Sequence, residues 1–409
     1  MHDKQKHLYV GVDLHKQHHV AVIINCWQEK LGEITFENKP SAFSKFLLEM
    51  DKRTEKGMTL AFGLEDVGGY GRSLAQFLAD HGQLVKEVNP ALSYAERKSH
   101  MTTQKSDNWD AECVARILVN KLDHLSDAKP DDLFWSIQQL VSRRNALVKA
   151  QGALKNQLHI QLNHNYPSYK KFFSEVDGKT ALAFWERFPS PSGVTIKQLT
   201  TFLLEASTNT CSVKKATEIV KLVEEDGLIK KEYQETRDFL VRSIVRDILF
   251  KKQEMGYVER ELKELMSLLD FQLNTMPGIE LVTASALIAE IGDVRRFPNA
   301  NKLARFAGIV PVYFGSGGKG KMHKSKHGNR ALHALFYNLV VQQVQVAKGS
   351  KLPRNPVFHA YYQRKQKEGK TKGQALVCIM RRLVNIVYGL MKYKTAYELP
   401  IRREKEEVL

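Results

Sequence analysis

The feature that most constrains the fold of this chain is the order of predicted strands and helices in its first 110 residues. Five short apolar runs bounded by polar or glycine-containing turns predict β-strands: Leu8–Asp13, His19–Ile24, Gly32–Phe36, Met58–Leu64 and Leu84–Val88. Helices are predicted to begin at Ser41, in the glycine-rich segment after Glu65, and near Ser106. The order is therefore three strands, followed by alternating helices and strands that end on a helix.

That order is the order of an RNase H-like sheet, and it predicts an α/β domain over residues 1–130. Four acids lie where such a fold holds metal ions: Asp13, Glu65, Asp107 and Asp110. The first two end strands, and the last two are three residues apart on one face of the final helix. Converging carboxylates suit Mg²⁺, with Mn²⁺ as the alternative, in phosphoryl transfer. The competing interpretation is that these acids are solvated or stabilise a helix N-terminus. His15 and Lys16 are interpreted as solvated turn residues, with phosphate contact as the alternative.

Residues 131–270 predict a helical middle region. A leucine-rich stripe predicts a long helix from Asp131 to about Asn163, and the segment 175–230 predicts shorter helices. A seam of apolar residues then steps by three and four, interrupted only by Lys251: Val241, Ile244, Ile248, Met255, Val258, Leu262, Leu265 and Leu269. This seam predicts a coiled coil or a long hairpin helix that separates the two ends of the chain. It either pairs with a second protomer or packs inside its own domain.

Charge is distributed unevenly along the chain. Between Val294 and Lys367 there is no Asp or Glu, but there are fifteen Lys and Arg residues, and the whole chain has a formal charge of +17. A phosphate backbone is the natural counterion of such a surface, although an anionic membrane would attract the same charge.

No apolar run approaches the roughly 20 residues needed to span a bilayer. The N-terminus lacks a signal peptide, and the four cysteines lack metal-site spacing, so we expect a reducing cytoplasm.

Residues 271–409 predict a mainly helical C-terminal domain. Met276–Ile279 followed by Thr283–Gly292 resembles a helix-hairpin-helix motif, in which a glycine turn offers backbone amides to DNA phosphate. A further helix is predicted from Asn329 to Val346. These elements, together with the cationic composition, indicate a nucleic-acid-binding domain.

A flexible glycine-rich loop at Gly315–Gly318 is predicted to hold Ser316. Five cations follow it: Lys319, Lys321, Lys324, Lys326 and Arg330. A serine hydroxyl among these cations could approach a phosphodiester, which makes Ser316 a candidate nucleophile and the five cations candidate nucleic-acid ligands. A glycine-flanked serine is more often only part of a turn, and Ser325 and Ser350 are alternative hydroxyls.

Together these motifs resemble the DEDD transposases of bacterial insertion sequences, which are relatives of the Piv-type site-specific DNA invertases. Three N-terminal segments and four C-terminal segments follow the family pattern in order: Gly11–Lys16, Glu65–Tyr70, Lys105–Ala111, Pro277–Ile279, Gly308–Pro311, Ser316–Gly318 and Lys326–Arg330. Each segment is short, but the ordered set is specific.

The resemblance implies a RuvC-like domain that holds Mg²⁺ through the four acids, and a phosphoserine intermediate formed by Ser316. Such a link conserves the phosphodiester energy, so that DNA strands can be exchanged and rejoined without ATP. The resemblance further implies a homodimer or homotetramer with composite active sites, DNA as substrate, and in some members a guiding bridge RNA. It places the protein in the bacterial cytoplasm, near the nucleoid.

Three other functions remain open at this point. A RuvC-like structure-specific endonuclease would use the acids and a metal-activated water without the serine. A site-specific DNA invertase would use the same chemistry for a different outcome. A nucleic-acid-binding scaffold with a decayed site would bind without Mg²⁺-dependent chemistry, but the intact set of acids argues against it.

Overall fold

The computed structural model divides the chain into two compact units, Met1–Trp135 and Ser136–Leu409. The described residues are 3–65, 69–100, 106–128, 130, 132–192, 194–206, 212–227, 232–316, 319–323, 325, 327–347 and 349–398. A separation of middle and C-terminal domains at residue 270 stays a prediction.

The secondary structure is mixed in the first unit and mainly helical in the second. The strands are β1 His7–Leu14, β2 His18–Ile24, β3 Lys30–Glu37, β4 Thr59–Leu64, β5 Leu84–Glu87, β6 Val312–Ser316 and β7 Lys319–His323. The helices of the first unit are α1 Pro40–Arg53, α2 Arg72–Asp80, α3 Pro90–Ser99 and α4 Asp107–Lys121. Those that follow are α5 Asp132–Asn165, α6 Lys179–Arg187, α7 Ile196–Ala206, α8 Ser212–Asp226, α9 Gln234–Ser267, α10 Leu281–Ile291, α11 Ala300–Phe306, α12 Arg330–Val344, α13 Pro356–Lys367 and α14 Lys372–Tyr393.

The first unit contains a five-stranded sheet in the order β3-β2-β1-β4-β5. β1, β2 and β3 are antiparallel neighbours, while β4 runs parallel to β1 and β5 runs parallel to β4. This confirms the five predicted strands. The helix α3 was not predicted, although Asn89 caps it by accepting a hydrogen bond from the Ala91 N–H and Pro90 occupies its first turn.

Helices cover both faces of this sheet. Alternate residues of β1, including Val10 and Val12, pack on one face with the apolar sides of α1 and α2. Tyr9 and the opposite face of β2 pack against α4. Because β1 and β4 are buried on both faces, they appear in the sequence as continuous apolar runs without polar alternation.

The helix α4 crosses β1 at Gly11 with almost no separation. A Cβ atom on Gly11 would overlap the Ala111 carbonyl oxygen and the Ala115 amide nitrogen of α4. Both alanines are fully buried, so small side chains line the crossing on each side. This close approach brings the start of α4 to the end of β1, where the predicted acids lie.

We expect Gly11→Ala to destabilise the first unit by about 3 kcal/mol or more, because the overlap is with helix backbone that cannot rotate away. Chemical denaturation with circular dichroism measures the effect. Gly32→Ala is a matched control in β3, since its Cβ would overlap only the end of the flexible Arg53 side chain and would make an ordinary contact with Ile23. Equal stability of the two variants would contradict the close crossing.

In the second unit, α5 and α9 run antiparallel. Arg144 Nε of α5 donates to Glu259 Oε1 of α9 over 2.7 Å, and at the other end of the pair Gln234 donates to Asn165. Between these helices, α6, α7 and α8 complete an aromatic core around Trp185. Helices α6, α7 and α8 separate α5 from α9 along the chain, and the prediction that the seam forms a coiled coil or a long hairpin helix stays a prediction.

The predicted seam on α9 is buried largely within its own unit. Val241 and Ile248 are fully buried in the aromatic core, and Leu262 is fully buried farther along the helix. This burial supports the alternative in which the seam packs intramolecularly. It gives no support to pairing of the seam with a second protomer.

The helix α14 is the one candidate membrane span among the described residues, by length and composition alone. It packs against α11, α12 and α13, and Ile379, Leu383 and Val387 are fully buried there. At its end, the Tyr388 hydroxyl donates to the Phe297 carbonyl over 2.9 Å. These contacts indicate a core helix.

Candidate active-site residues

The acid cluster begins at the C-terminal end of β1. Side chains alternate along a strand, so Asp13 lies on the same face as Gly11, which is the face covered by α4. The helix α4 begins at Asp107, and the Ser106 hydroxyl caps it by accepting from the Trp109 N–H over 3.2 Å. The strand end and the capped helix start therefore bring Asp13 and Asp107 together.

Asp110 lies one turn into α4 and is only 7% exposed. The Arg97 guanidinium of α3 is 3.1 Å from Asp110 Oδ1, but that oxygen accepts no hydrogen bond from any described residue. Arg97 therefore already supplies a positive charge at this buried oxygen, and a bound metal ion would share the carboxylate with it.

Burial raises the pKa of the Asp13 carboxyl, and the negative charges of Asp110 and Asp107 raise it further. The neighbouring His15 opposes this shift and lowers the pKa. The carboxyl groups of Asp13, Asp107 and Asp110 are therefore close enough in the folded protein for their negative charges to repel one another. Crowded acids of this kind are typical of sites that bind a cation.

His15 extends into the acid cluster. Its Nε2 atom lies 3.0 Å from Asp13 Oδ2 and 3.2 Å from Asp107 Oδ2. Ligand atoms of these three residues all lie within 4.8 Å of one another. The interpretation of His15 as a solvated turn residue missed this contact, although His15 follows Asp13 by only two residues.

The turn that carries His15 is held by a second histidine. His19 is fully buried, packs edge-to-face against Phe36, and accepts a hydrogen bond at Nδ1 from the His15 N–H over 3.3 Å. Burial lowers the pKa of His19 to about 4. His19 is therefore neutral at neutral pH, with Nδ1 available as an acceptor.

This lowered pKa predicts acid sensitivity of the first unit. Below the unfolded pKa of about 6.5 the unfolded chain protonates His19 while the folded chain does not, so stability falls until the pH reaches the folded pKa near 4. From about pH 7.5 to about pH 5 we expect a loss of about 2 kcal/mol from this residue. Urea denaturation of the protein and of His19→Asn at both pH values measures it. The same pH dependence in both proteins would contradict the assignment.

Glu65 directly follows β4 and is partly exposed. Leu64 of β4 pairs with Val12 of β1, so Glu65 and Asp13 lie at the ends of neighbouring strands. The preceding alternate residue, Gly63, faces α4. Among the described residues, Glu65 is outside the cluster formed by Asp13, His15 and Asp107.

Ser316 lies at the end of a β-hairpin strand, so the prediction of a flexible loop at this residue was wrong. β6 and β7 are antiparallel, with Ser316 opposite Lys319. Gly315 and Gly320 are opposite each other, and a Cβ on either would overlap the Tyr313 ring. These glycines make room for that ring. Gly317 and Gly318 lie outside the described residues.

The hairpin presents Ser316 and two lysines on one face. Directly opposed residues of an antiparallel pair share a face, so Phe314 with Lys321 and Ser316 with Lys319 project together. Every residue of both strands is exposed. Tyr313 and Met322 form the other face.

The other predicted cations are less completely placed. Arg330 is the first residue of α12, which Asn329 caps by accepting from the Leu332 N–H over 2.9 Å. Lys324 and Lys326 lie outside the described residues. Ser316 and the lysines belong to the second unit, and the four acids belong to the first.

Comparison with known proteins connects both units to one group. A DEDD transposase family model of the IS110 type matches residues 10–167, which include the four acids. A second model, described as transposase IS116/IS110/IS902 family, matches residues 271–363, which include Ser316.

Full-length relatives agree with these matches. The chain is 24% identical to the insertion element IS116 uncharacterized 44.8 kDa protein of Streptomyces clavuligerus, over 97% of this chain and 98% of that protein. It is 25% identical to the pilin gene-inverting protein of Moraxella bovis, over 95% and 97%. It is 26% identical to the transposase for insertion sequence element IS1328 of Yersinia enterocolitica, over 80% and 81%.

Proposed function

Because this chain belongs to the transposase family of the IS110, IS116 and IS902 insertion sequences, and is a DNA transposase or recombinase, we propose that it cuts and rejoins DNA through a phosphoserine intermediate at Ser316. The observation that carries this proposal is the placement of Ser316 on an exposed hairpin face, directly opposite Lys319. A hydroxyl in that position is accessible to a DNA backbone, and the lysine ammonium can hold the phosphate beside it.

In the proposed step, Ser316 Oγ attacks the scissile phosphorus. The Oγ–P bond forms as one P–O bond of the DNA strand breaks, the serine proton passes to a base, and the leaving strand end takes up a proton as a free hydroxyl. The hydroxyl of a new strand end then attacks the same phosphorus and releases Ser316. One phosphodiester bond is exchanged for another, so no external energy source is needed.

We assign the first unit an RNase H-like, RuvC-like fold. The antiparallel β1–β3 sheet, the parallel additions of β4 and β5, and the helices on both faces support this assignment. The acids at the ends of β1 and β4 and in the first turn of α4 support it further.

The first unit would hold Mg²⁺, or Mn²⁺, through Asp13, Glu65, Asp107 and Asp110. The crowding of Asp13 by Asp107 and Asp110, which raises the Asp13 pKa, fits a hard divalent cation with oxygen ligands. When bound, the ion would stabilise negative charge on the attacking and leaving oxygens. The four carboxylates position the ion, and His19 holds the turn that follows Asp13.

DNA contact is proposed for the serine-bearing face of the hairpin and for the segment around it. Lys319 and Lys321 would contact phosphates, and Phe314 offers an exposed ring on which a base could stack. Lys324, Lys326 and Arg330 are proposed as further phosphate contacts, because the whole segment from Val294 to Lys367 lacks acids.

We expect the pair of substitutions Lys319→Gln and Lys321→Gln to weaken DNA binding about tenfold and to reduce the slope of log K against log salt by about two, since two phosphate contacts are lost. Fluorescence anisotropy with the same duplex at several salt concentrations measures both quantities. Lys197→Gln with Lys214→Gln is the matched control, which removes two exposed lysines from α7 and α8. Equal slopes for the two double variants would contradict the hairpin contact.

The protein would act as an oligomer, together with a guide RNA. A homodimer or homotetramer would let the acids of one protomer meet the serine of another. The outward side of α9, with exposed Phe239, Phe250 and Tyr257 at helical spacing, is proposed as the contact surface for a second copy, because exposed aromatics of this kind favour protein contacts. A guide RNA would bind the cationic surface through its backbone, and the protein would act in the bacterial cytoplasm at the nucleoid.

The decisive experiment is capture of the covalent intermediate. The full-length protein is purified with any RNA that accompanies it, and that RNA is sequenced. The complex is then incubated with DNA carrying a nick near the crossover site, so that cleaved strands cannot be rejoined. We expect a protein–DNA adduct whose nuclease-trimmed peptide carries the phosphoester on Ser316. Cleavage without any adduct would favour a metal-dependent endonuclease that uses water.

Inversion is the second candidate outcome of the same chemistry. The relative from Moraxella bovis is a pilin gene-inverting protein that aligns over almost its whole length. A plasmid assay that carries the element ends in direct and in inverted orientation distinguishes excision from inversion.

A further inference from the structure

We propose that His15 is itself a metal ligand, and that it supplies an imidazole nitrogen to the ion held by Asp13 and Asp107. This inference rests on the proposed function, because it takes the acid cluster as a metal site. His15 would add a nitrogen ligand to a set that otherwise consists of carboxylate oxygens. The added nitrogen would change which divalent ion the site prefers.

The first support is the set of distances between the ligand atoms. His15 Nε2 is 3.0 Å from Asp13 Oδ2 and 3.2 Å from Asp107 Oδ2. In an octahedral site with metal–ligand bonds of about 2.1 Å, neighbouring ligand atoms are separated by about 3 Å. His15 Nε2 is therefore spaced from each of the two carboxylate oxygens as adjacent ligands of one small divalent ion are, and ligand atoms of the three residues lie within 4.8 Å of one another.

The second support is the burial of the imidazole nitrogen. Although both carboxylate oxygens are near, His15 Nε2 is a buried atom that forms no hydrogen bond with any described residue. An ion bound by the two carboxylates would give the nitrogen lone pair a partner, and a buried polar nitrogen without a partner costs free energy.

The third support is the way the backbone holds His15. Its N–H donates to His19 Nδ1 over 3.3 Å, and its ring lies 5.5 Å from the ring of His18. His19 lies on β2 and is fully buried against Phe36 of β3 and Phe43 of α1, so the acceptor is fixed in place. This hydrogen bond holds the backbone of His15 beside the acids.

The chemical consequence concerns metal preference. Mg²⁺ favours oxygen ligands, whereas imidazole suits Mn²⁺ better and later transition metals better still. A site with His15 should therefore bind Mn²⁺ more tightly relative to Mg²⁺ than the same site without it. We expect His15→Gln, which offers an amide oxygen at a similar reach, to lower the ratio of Mn²⁺ to Mg²⁺ affinity by at least about tenfold.

Pulsed electron paramagnetic resonance of bound Mn²⁺ tests the ligand directly, without reference to activity. The full-length protein with one equivalent of Mn²⁺ should show nitrogen modulation of the electron spin echo. That modulation should disappear in His15→Gln and persist in His18→Gln, which removes the neighbouring exposed ring. Isothermal titration with Mn²⁺ and Mg²⁺ gives the affinity ratio for each variant.

The outcomes separate this inference from the proposed function. Mn²⁺ binding that depends on Asp13 but shows no nitrogen modulation would overturn the role of His15 and leave the carboxylate site standing. Modulation that persists in His15→Gln would also overturn it. Failure of Mn²⁺ to bind in any Asp13-dependent way would overturn the metal site itself, and the role of His15 with it.

Discussion

Ser316→Ala is expected to abolish strand exchange and covalent DNA capture, with a rate loss of roughly 10⁴-fold or more, because removal of a nucleophile leaves no group to form the intermediate. DNA binding should change little, since the lysines of the hairpin remain. The substitution removes only an exposed hydroxyl at a strand end, so the variant should fold normally. Adduct yield on a nicked substrate and binding by fluorescence anisotropy measure the two effects separately.

The matched control for this variant is Ser350→Ala, which removes another exposed serine of the same unit. It should retain both adduct formation and strand exchange. If Ser316→Ala still formed an adduct while Ser350→Ala did not, the nucleophile would be Ser350. If Ser316→Ala cleaved DNA normally, the protein would act as a nuclease that uses water.

Asp13→Asn is expected to reduce cleavage by roughly 10³-fold or more, because the variant loses one charged ligand at the centre of the acid cluster. Stability without metal should stay the same or rise. The reason is that burial and the neighbouring acids raise the pKa of Asp13, so its ionised form destabilises the folded state and a neutral amide does not. A loss of cleavage without a loss of stability would show that Asp13 serves catalysis, whereas an acid that only supports the fold would lose stability when substituted.

Thermal unfolding with and without Mg²⁺ or Mn²⁺ provides the measurement. An ion at one hundred times its dissociation constant would stabilise the wild-type first unit by about 2.7 kcal/mol, and this gain should be largely lost in Asp13→Asn. Asp51→Asn, at an exposed acid of α1, is the control and should keep both the metal response and the activity. Wild-type cleavage by Asp13→Asn would remove the acids from the mechanism.

The strands β1 and β4 were predictable because they are buried on both faces of the sheet and therefore appear in the sequence as continuous apolar runs. α3 was missed because Asn89-Pro90 was interpreted only as the end of a strand, although it also caps and starts a helix. The hairpin at Ser316 was missed because its glycines suggested flexibility. In the structure Gly315 and Gly320 make room for the Tyr313 ring on one face of the hairpin.

The sequence by itself indicated the five strands, the two long helices and the acid-free cationic segment, because these features follow from local periodicity and composition. The choice of the candidate acids and serine rested in addition on the resemblance of their motifs to a known family. Only the tertiary structure decided that the α9 seam is largely buried within its own unit, and that the His15 side chain contacts Asp13 and Asp107. Both outcomes depend on which surfaces meet across the fold. The approach of α4 to β1 at Gly11 sets the second of them, because a single missing side chain allows the helix start to reach the strand end.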